Sequence, residues 1–130
     1  MPNWDALVAA ASAARELAHA PYSDYLVGAA FELSDGTIVA GCNVENRILG
    51  LTVCAERNAI ANAIVSGRRD FVALAVVTVS TPPAAPCGMC RETLAEFVDD
   101  LPILLANTQG ERTEVRFGDL LPHRFVLPKG

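Results

Sequence analysis

The sequence predicts an α/β domain in which a central mixed sheet of about five strands carries helices on both faces. Three observations lead there. Phe71 to Ser80 is an unbroken apolar run rich in Val, Leu and Ala, without the alternation of a half-wet strand, which suits a strand covered on both sides. Two stretches, Pro2 to Ala20 and Ala55 to Ile64, repeat apolar residues at helical spacing and supply the covering layers. Short apolar segments joined by Ser34-Asp35-Gly36 and Asn107-Thr108-Gln109-Gly110 read as strands meeting at turns.

Taken in order, the opening helix places Ala6, Leu7, Ala10, Ala14, Leu17 and Ala18 on its apolar stripe and Arg15, Glu16 and His19 on its wetter face, with Pro21 as its stop. Tyr22-Ser23-Asp24 turns the chain into Tyr25. Leu26 to Leu33 and Thr37 to Asn43 form a hairpin. A second helix carries Ala55, Ala59, Ile60, Ala63 and Ile64 and closes at Gly67. After the Phe71 strand, Thr81 to Pro86 loops towards Cys87, and a third helix runs on to Val98 with Leu94, Phe97 and Val98 apolar. Ile103 to Ala106 is a further strand and Glu111 to Val115 a polar edge strand. The tail beyond Gly118, with Leu120, Leu121, Phe125, Val126 and Leu127, is too short to fold alone and must dock.

The chain of 130 residues, 52% hydrophobic, is read as one domain with a real core. A net charge of −5 without a basic cluster argues against a nucleic-acid partner and for a small molecule. The first residues lack a basic-then-apolar signal pattern, and charges interrupt the longest apolar stretch well short of a membrane span. The expected setting is the cytoplasm, where thiols stay available to metal.

The chemistry is carried by Thr52-Val53-Cys54-Ala55-Glu56-Arg57 and Pro86-Cys87-Gly88-Met89-Cys90-Arg91. A Cys-x-x-Cys pair opening a helix puts both sulfurs on one side of the first turn, so Cys87 and Cys90 can chelate one ion. That is half a tetrahedral shell. Candidates for the rest are Cys42, Cys54, His19 and His123. Cys54 suits best, because a potential acid-base group, Glu56, follows it at the start of a helix. Three protein ligands on zinc leave one corner for water, whose pKa then falls from about 15.7 towards about 7. Thiolates at helix N-termini are favoured by the macrodipole, and Arg57 and Arg91 stand close enough in sequence to donate to sulfur. Glu56 must reach back from the first turn, since residues two apart do not share a helix face. Other readings exist for each part: Cys87 and Cys90 as a thioredoxin-like redox pair, Cys54 as a small buried residue, Glu56 as a complement to the dipole, and Asn43 with Glu45 as a solvated strand end. Metal content separates a redox or non-enzymatic module from a hydrolase.

With these motifs the chain resembles the small, homotetrameric class of zinc-dependent cytidine deaminases. The likeness runs from Pro21-Tyr22-Ser23 through Val27-Gly28-Ala29-Ala30 and Gly41-Cys42-Asn43-Val44-Glu45-Asn46 to Gly118-Asp119-Leu120-Leu121-Pro122. It implies a three-layer α/β/α cytidine deaminase-like fold over residues 1–130, one Zn2+ per chain on Cys54, Cys87 and Cys90, and Glu56 as proton shuttle. It further implies that Asn43 and Glu45 grip the ribose, that Tyr25 packs on the pyrimidine, and that the Ala55 N–H donates to the 2-oxo group. The Ala85 carbonyl accepts from the departing amine, and Phe125 closes over a neighbouring subunit's site. Hydrolytic loss of the 4-amino group from a cytidine-like nucleoside is the implied reaction.

Five positions depart from the family. Tyr25 stands where phenylalanine is usual, adding a hydroxyl that needs a partner. Arg47-Ile48-Leu49 replaces Ala-Ser-Tyr, so Leu49 occupies the place of a tyrosine that reaches a neighbour's active site and cannot repeat its polar contact. Glu92 replaces glutamine. The changes at Tyr25 and at Arg47, Ile48 and Leu49 bear on the substrate: a modified cytosine nucleoside or a different amino-heterocycle is the alternative to cytidine and 2′-deoxycytidine.

Overall fold

A computed structural model describes residues 1–128. Five strands, β1 (Gly28–Leu33), β2 (Ile38–Cys42), β3 (Phe71–Thr78), β4 (Pro102–Asn107) and β5 (Arg112–Arg116), form one mixed sheet in the order β2-β1-β3-β4-β5. Only the β3–β4 pair is parallel. The apolar run lies at the centre, as expected of a strand covered on both faces. Helix α1 (Trp4–Arg15) sets Leu7 and Ala11 against Ala30, Ala73, Ala75 and Val77 on one face. On the other, α2 (Ala55–Val65) and α3 (Gly88–Ala95) pack Ala59, Ile60, Ala63 and Leu94 against Phe31, Leu74, Val76 and Ile103. The short α4 (Phe117–Leu120) follows β5 and buries Phe117.

Two glycines let the helices come this close. A Cβ on Gly28 would lie 1.8 Å from the Ala11 carbonyl oxygen of α1, and one on Gly41 would lie 2.4 Å from the Ala59 nitrogen of α2. Both obstacles are backbone and cannot swing aside. Gly28→Ala is expected to cost about 1–3 kcal/mol, the usual penalty for overpacking, read as a lower urea midpoint with an unchanged m-value.

The exposed edge of β2 is also managed. Asn58 and Asn62 of α2 donate their side-chain amides to the Cys42 and Ala40 carbonyls at 2.8 and 2.9 Å, so acceptors on that edge are filled from within the chain. At the hairpin end, Arg68 bonds both Asp35 and Asp70, and Asp70 also accepts from Ser34. Arg68 holds both carboxyls well below the usual carboxylate range. Their pairing therefore contributes above an unfolded carboxyl pKa of about 3.9 and is lost as pH falls further. Asp70→Asn should lower the urea midpoint at neutral pH, and the gap to wild type should close in progressively more acidic titrations.

Several boundaries differ from expectation for local reasons. Helix α1 ends at Arg15, well before Pro21, because Leu17 and Ala18 donate to the Ala14 and Arg15 carbonyls in tight turns. That tightening rotates Leu17 off the apolar stripe, leaving it 80% exposed. The chain then runs beside residues 43–45, with His19 donating to Asn43 and accepting from Glu45. Helix α3 ends at Ala95, with Phe97 and Val98 following in a turn. The tail docks through Leu120 and Leu121, but Phe125, Val126 and Leu127 stay exposed, so Phe125 does not cap its own core.

Candidate active site

Cys54 and Cys87 are the N-cap residues of α2 and α3, both with extended backbone, and neither side chain bonds its own helix. Their sulfurs are thus free to face each other. Cys54 Sγ lies 3.7 Å from Cys87 Sγ, which lies 3.5 Å from Cys90 Sγ in the first turn of α3. All three sulfurs fall within 4.8 Å of one another. Tetrahedral zinc with Zn–S bonds near 2.3 Å sets its sulfurs about 3.8 Å apart, so the spacing fits that ion. Among the described residues, no fourth His, Cys, Asp or Glu joins the group. Cys42 sits apart on the edge strand, His19 is tied into its bridge to Val44, and His123 lies in a turn at φ 51°.

The thiols are not equivalent. Cys54 is pulled down to about 5 by the Cys90 thiol beside it and by Arg57, against the opposing effect of burial. Cys90 is pushed above the ordinary thiol range by the same contact with Cys54, by burial, and by the Glu56 carboxyl. The Arg57 guanidinium donates to the Thr52 carbonyl at 3.1 Å and approaches Cys54 Sγ at 3.9 Å. Its Nε is the buried side-chain polar atom that lacks a partner among the described residues. Arg91, in contrast to the sequence expectation, turns away from the sulfurs. It donates to the Pro86 and Leu120 carbonyls at 2.8 and 3.1 Å, fixing the peptide before Cys87 and the start of the tail.

Glu56 is 6% exposed, and burial raises its carboxyl above the usual range. The difficulty of a carboxylate two residues from a ligand disappears because Cys54 precedes the helix and follows extended geometry. Cys54, Cys87, Ala55 and Glu56 all line one cavity of about 210 Å³. Tyr25, Asn43 and Ala85 line it too. Asn43 is buried, donating to the Tyr25 carbonyl at 2.8 Å and accepting from Val27 N–H at 2.9 Å. Glu45 is turned to the neighbouring loop, accepting from Tyr22 N–H, Ser23 N–H and the Ser23 hydroxyl, and is not part of the cavity wall. Leu49 and Phe125, 70% and 73% exposed, also lie outside it.

Other wall residues escaped sequence reasoning. Val76 and Thr78 share a face at the carboxyl end of β3, a period-two signal that was available but hidden in an all-apolar run. Thr52 belongs to the Cys54 motif but had no role assigned to it, and Ala84 carried no signal. The open hydroxyl of Tyr25 meets Ser80 Oγ at 2.6 Å.

A chelating trio of thiols that leaves one corner open, next to a buried carboxyl able to hold a proton, is the equipment of a zinc-dependent hydrolase, and on this layered sheet it defines a deaminase. Residues 2–104 match the model of the cytidine and deoxycytidylate deaminase zinc-binding region, and the chain belongs to that family. It is 46% identical over 121 residues to the cytidine deaminase of Halalkalibacterium halodurans, covering 92% of each chain. The crystal structure of cytidine deaminase from Burkholderia pseudomallei superposes with a TM-score of 0.91 at 47% identity, covering 96% of this chain and 100% of that one. A more distant relative is the blasticidin-S deaminase of Bacillus cereus, 31% identical over 108 residues, 77% of this chain and 76% of that protein.

Proposed function

We propose that this enzyme hydrolyses the 4-amino group of cytidine, 2′-deoxycytidine or a closely related cytosine nucleoside, giving the uridine product and ammonia. The observation that carries the reading is the clustering of the Cys54, Cys87 and Cys90 sulfurs at the cavity that Cys54, Cys87 and Glu56 line. Cys54, Cys87 and Cys90 would hold a zinc ion, which when bound would acidify the attacking water. Glu56, protonated, donates to ring N3 and takes a proton from the attacking water as the C4–O bond forms and the C4=N3 π bond opens. It then passes that proton to the amine as the C4–N bond to the 4-amino group breaks, and recovers a proton from the new hydroxyl, which becomes the 4-oxo group. The Ala55 N–H, at the start of α2, donates to the 2-oxo group, and the Ala85 carbonyl accepts from the departing amine. The Tyr25 ring packs on the base. Asn43 keeps one amide proton and one lone pair beyond its internal bonds, enough to meet a sugar hydroxyl, and Glu45 keeps one lone pair, on Oε2, beyond its three bonds to Tyr22 and Ser23. Arg57 offsets the charge of the thiolates.

Residues 1–130 act as a single domain of this kind, working in the cytoplasm in pyrimidine salvage as a homotetramer. Ile48, Leu49 and Leu51, and separately Phe125, Val126 and Leu127, support assembly, because they are exposed apolar residues outside the cavity of Cys54 and Glu56 and are free to meet a neighbouring subunit. No helix among the described residues is long and apolar enough to cross a membrane.

A second reading, a deaminase of a modified cytosine nucleoside or another amino-heterocycle, is favoured by Tyr25, by Arg47-Ile48-Leu49 and by the likeness to a blasticidin-S deaminase. Ammonia release measured across cytidine, deoxycytidine, modified cytosines, isocytosine and aminopyrimidine antibiotics separates the two. Turnover of cytidine or deoxycytidine is expected. Inactivity on both, with release from another member of the panel, overturns the first reading in favour of the second.

A further inference from the structure

The contact between the Tyr25 hydroxyl and Ser80 Oγ joins segments 55 residues apart in sequence. Tyr25 forms part of the cavity wall, and its backbone is already fixed: its N–H donates to Ser23 Oγ at 3.0 Å and its carbonyl accepts from Asn43. Among the described residues, Ser80 is the hydrogen-bond partner at the far end of the ring. Ser80 itself does not line the cavity. It follows β3, donates its N–H to Thr78 Oγ1 at 3.1 Å, and accepts at its carbonyl from Asn107 Nδ2 at 3.0 Å. It is therefore a rigid post. From it the chain runs directly into the segment that brings Ala84, Ala85 and Cys87 to the cavity.

We infer that Ser80 is a positioning residue, whose hydroxyl locks the Tyr25 ring in the orientation that receives the base. This rests on the reading of the cavity as a cytosine nucleoside site. An aromatic face held in place binds a planar base without first being ordered, whereas an untethered ring must lose its freedom at each binding event. The benefit belongs to substrate binding and not to proton movement at Glu56, so its loss raises KM and spares kcat. A hydrogen bond of ordinary strength sets the scale at about 3- to 10-fold.

The test is steady-state deamination of cytidine and deoxycytidine by the zinc-loaded wild type, Ser80→Ala, Ser80→Thr, Tyr25→Phe and the Ser80→Ala/Tyr25→Phe pair, with zinc content measured for each. Ser80→Ala and Tyr25→Phe should each raise KM by about 3- to 10-fold with kcat within about 2-fold and zinc unchanged. Ser80→Thr should return KM towards wild type, and the double variant should be no worse than either single one. An unchanged KM in Ser80→Ala, fully additive effects, or a fall in kcat accompanied by zinc loss overturns the role of Ser80 while leaving the deaminase intact. Should Ser80→Ala fail to fold, Tyr25→Phe removes the same bond and its KM decides. A zinc-loaded wild type inactive on both nucleosides overturns the site reading and this inference with it.

Discussion

Glu56→Ala is expected to lower kcat on cytidine by about 10²–10⁴, the range that a positioned general acid-base group supplies, while the chain keeps one zinc. The two effects separate because the sulfurs do not depend on the carboxyl for their placement. Cys54 is set by the N-cap of α2, and Cys87 and Cys90 by the first turn of α3. Glu56 is buried against the same cavity, with its carboxyl pushed up by burial, which suits a group that must hold a proton before giving it to the base. Glu56→Gln sharpens the test. It keeps volume and hydrogen-bonding capacity but cannot carry a proton between water and amine, so it should be as impaired as the alanine variant. Ammonia-release kinetics and elemental analysis of the same preparations check both. Wild-type kcat in Glu56→Gln would reduce the carboxyl to polar packing, and zinc loss in either variant would make it part of the metal's support.

The parts of this molecule that were legible in advance are those in which local chemistry and global structure ask for the same residue. The Phe71 to Ser80 run announced a central strand because β3 has neighbours on both edges and helices on both faces, so every position of β3 except Val72 is buried. Cys54, Glu56, Cys87 and Cys90 were legible because spacing at a helix start constrains direction. What stayed hidden depends on register or on a competing bond. Ser80 could not be named as the partner of Tyr25 without knowing that the end of β3 lies opposite the turn after α1. Arg91 follows Cys90 directly, but adjacent residues on a helix point about 100° apart, and its guanidinium finds two carbonyls on the other side. Leu17 fits the helical stripe by spacing, yet the helix has already ended when the chain reaches it. Glu45 follows Asn43 by two residues, but three donors from Tyr22 and Ser23 hold it to the loop, away from the cavity that Asn43 lines.

Cys90→Ala should abolish zinc binding and with it the stabilisation that chelators remove from the wild type. Cys90 is the buried member of the trio, 2% exposed, and its loss leaves two sulfurs, half of a tetrahedral shell. Zinc binds the folded chain, in which the N-termini of α2 and α3 adjoin, and not the unfolded chain, in which Cys54 and Cys87 are far apart. Binding therefore adds to stability by mass action, about 2.7 kcal/mol when free zinc is 100-fold above its dissociation constant. A chelator should lower the Tm of the wild type and have no such effect on Cys90→Ala. The metal-free wild type and the variant should then differ only by the packing lost when a thiol becomes a methyl group. Cys42→Ala is the control: Cys42 lies outside the trio, so its zinc content and chelator response should match the wild type. One zinc per chain in Cys90→Ala, or its loss from Cys42→Ala, would mean that the metal is held by a different set of ligands.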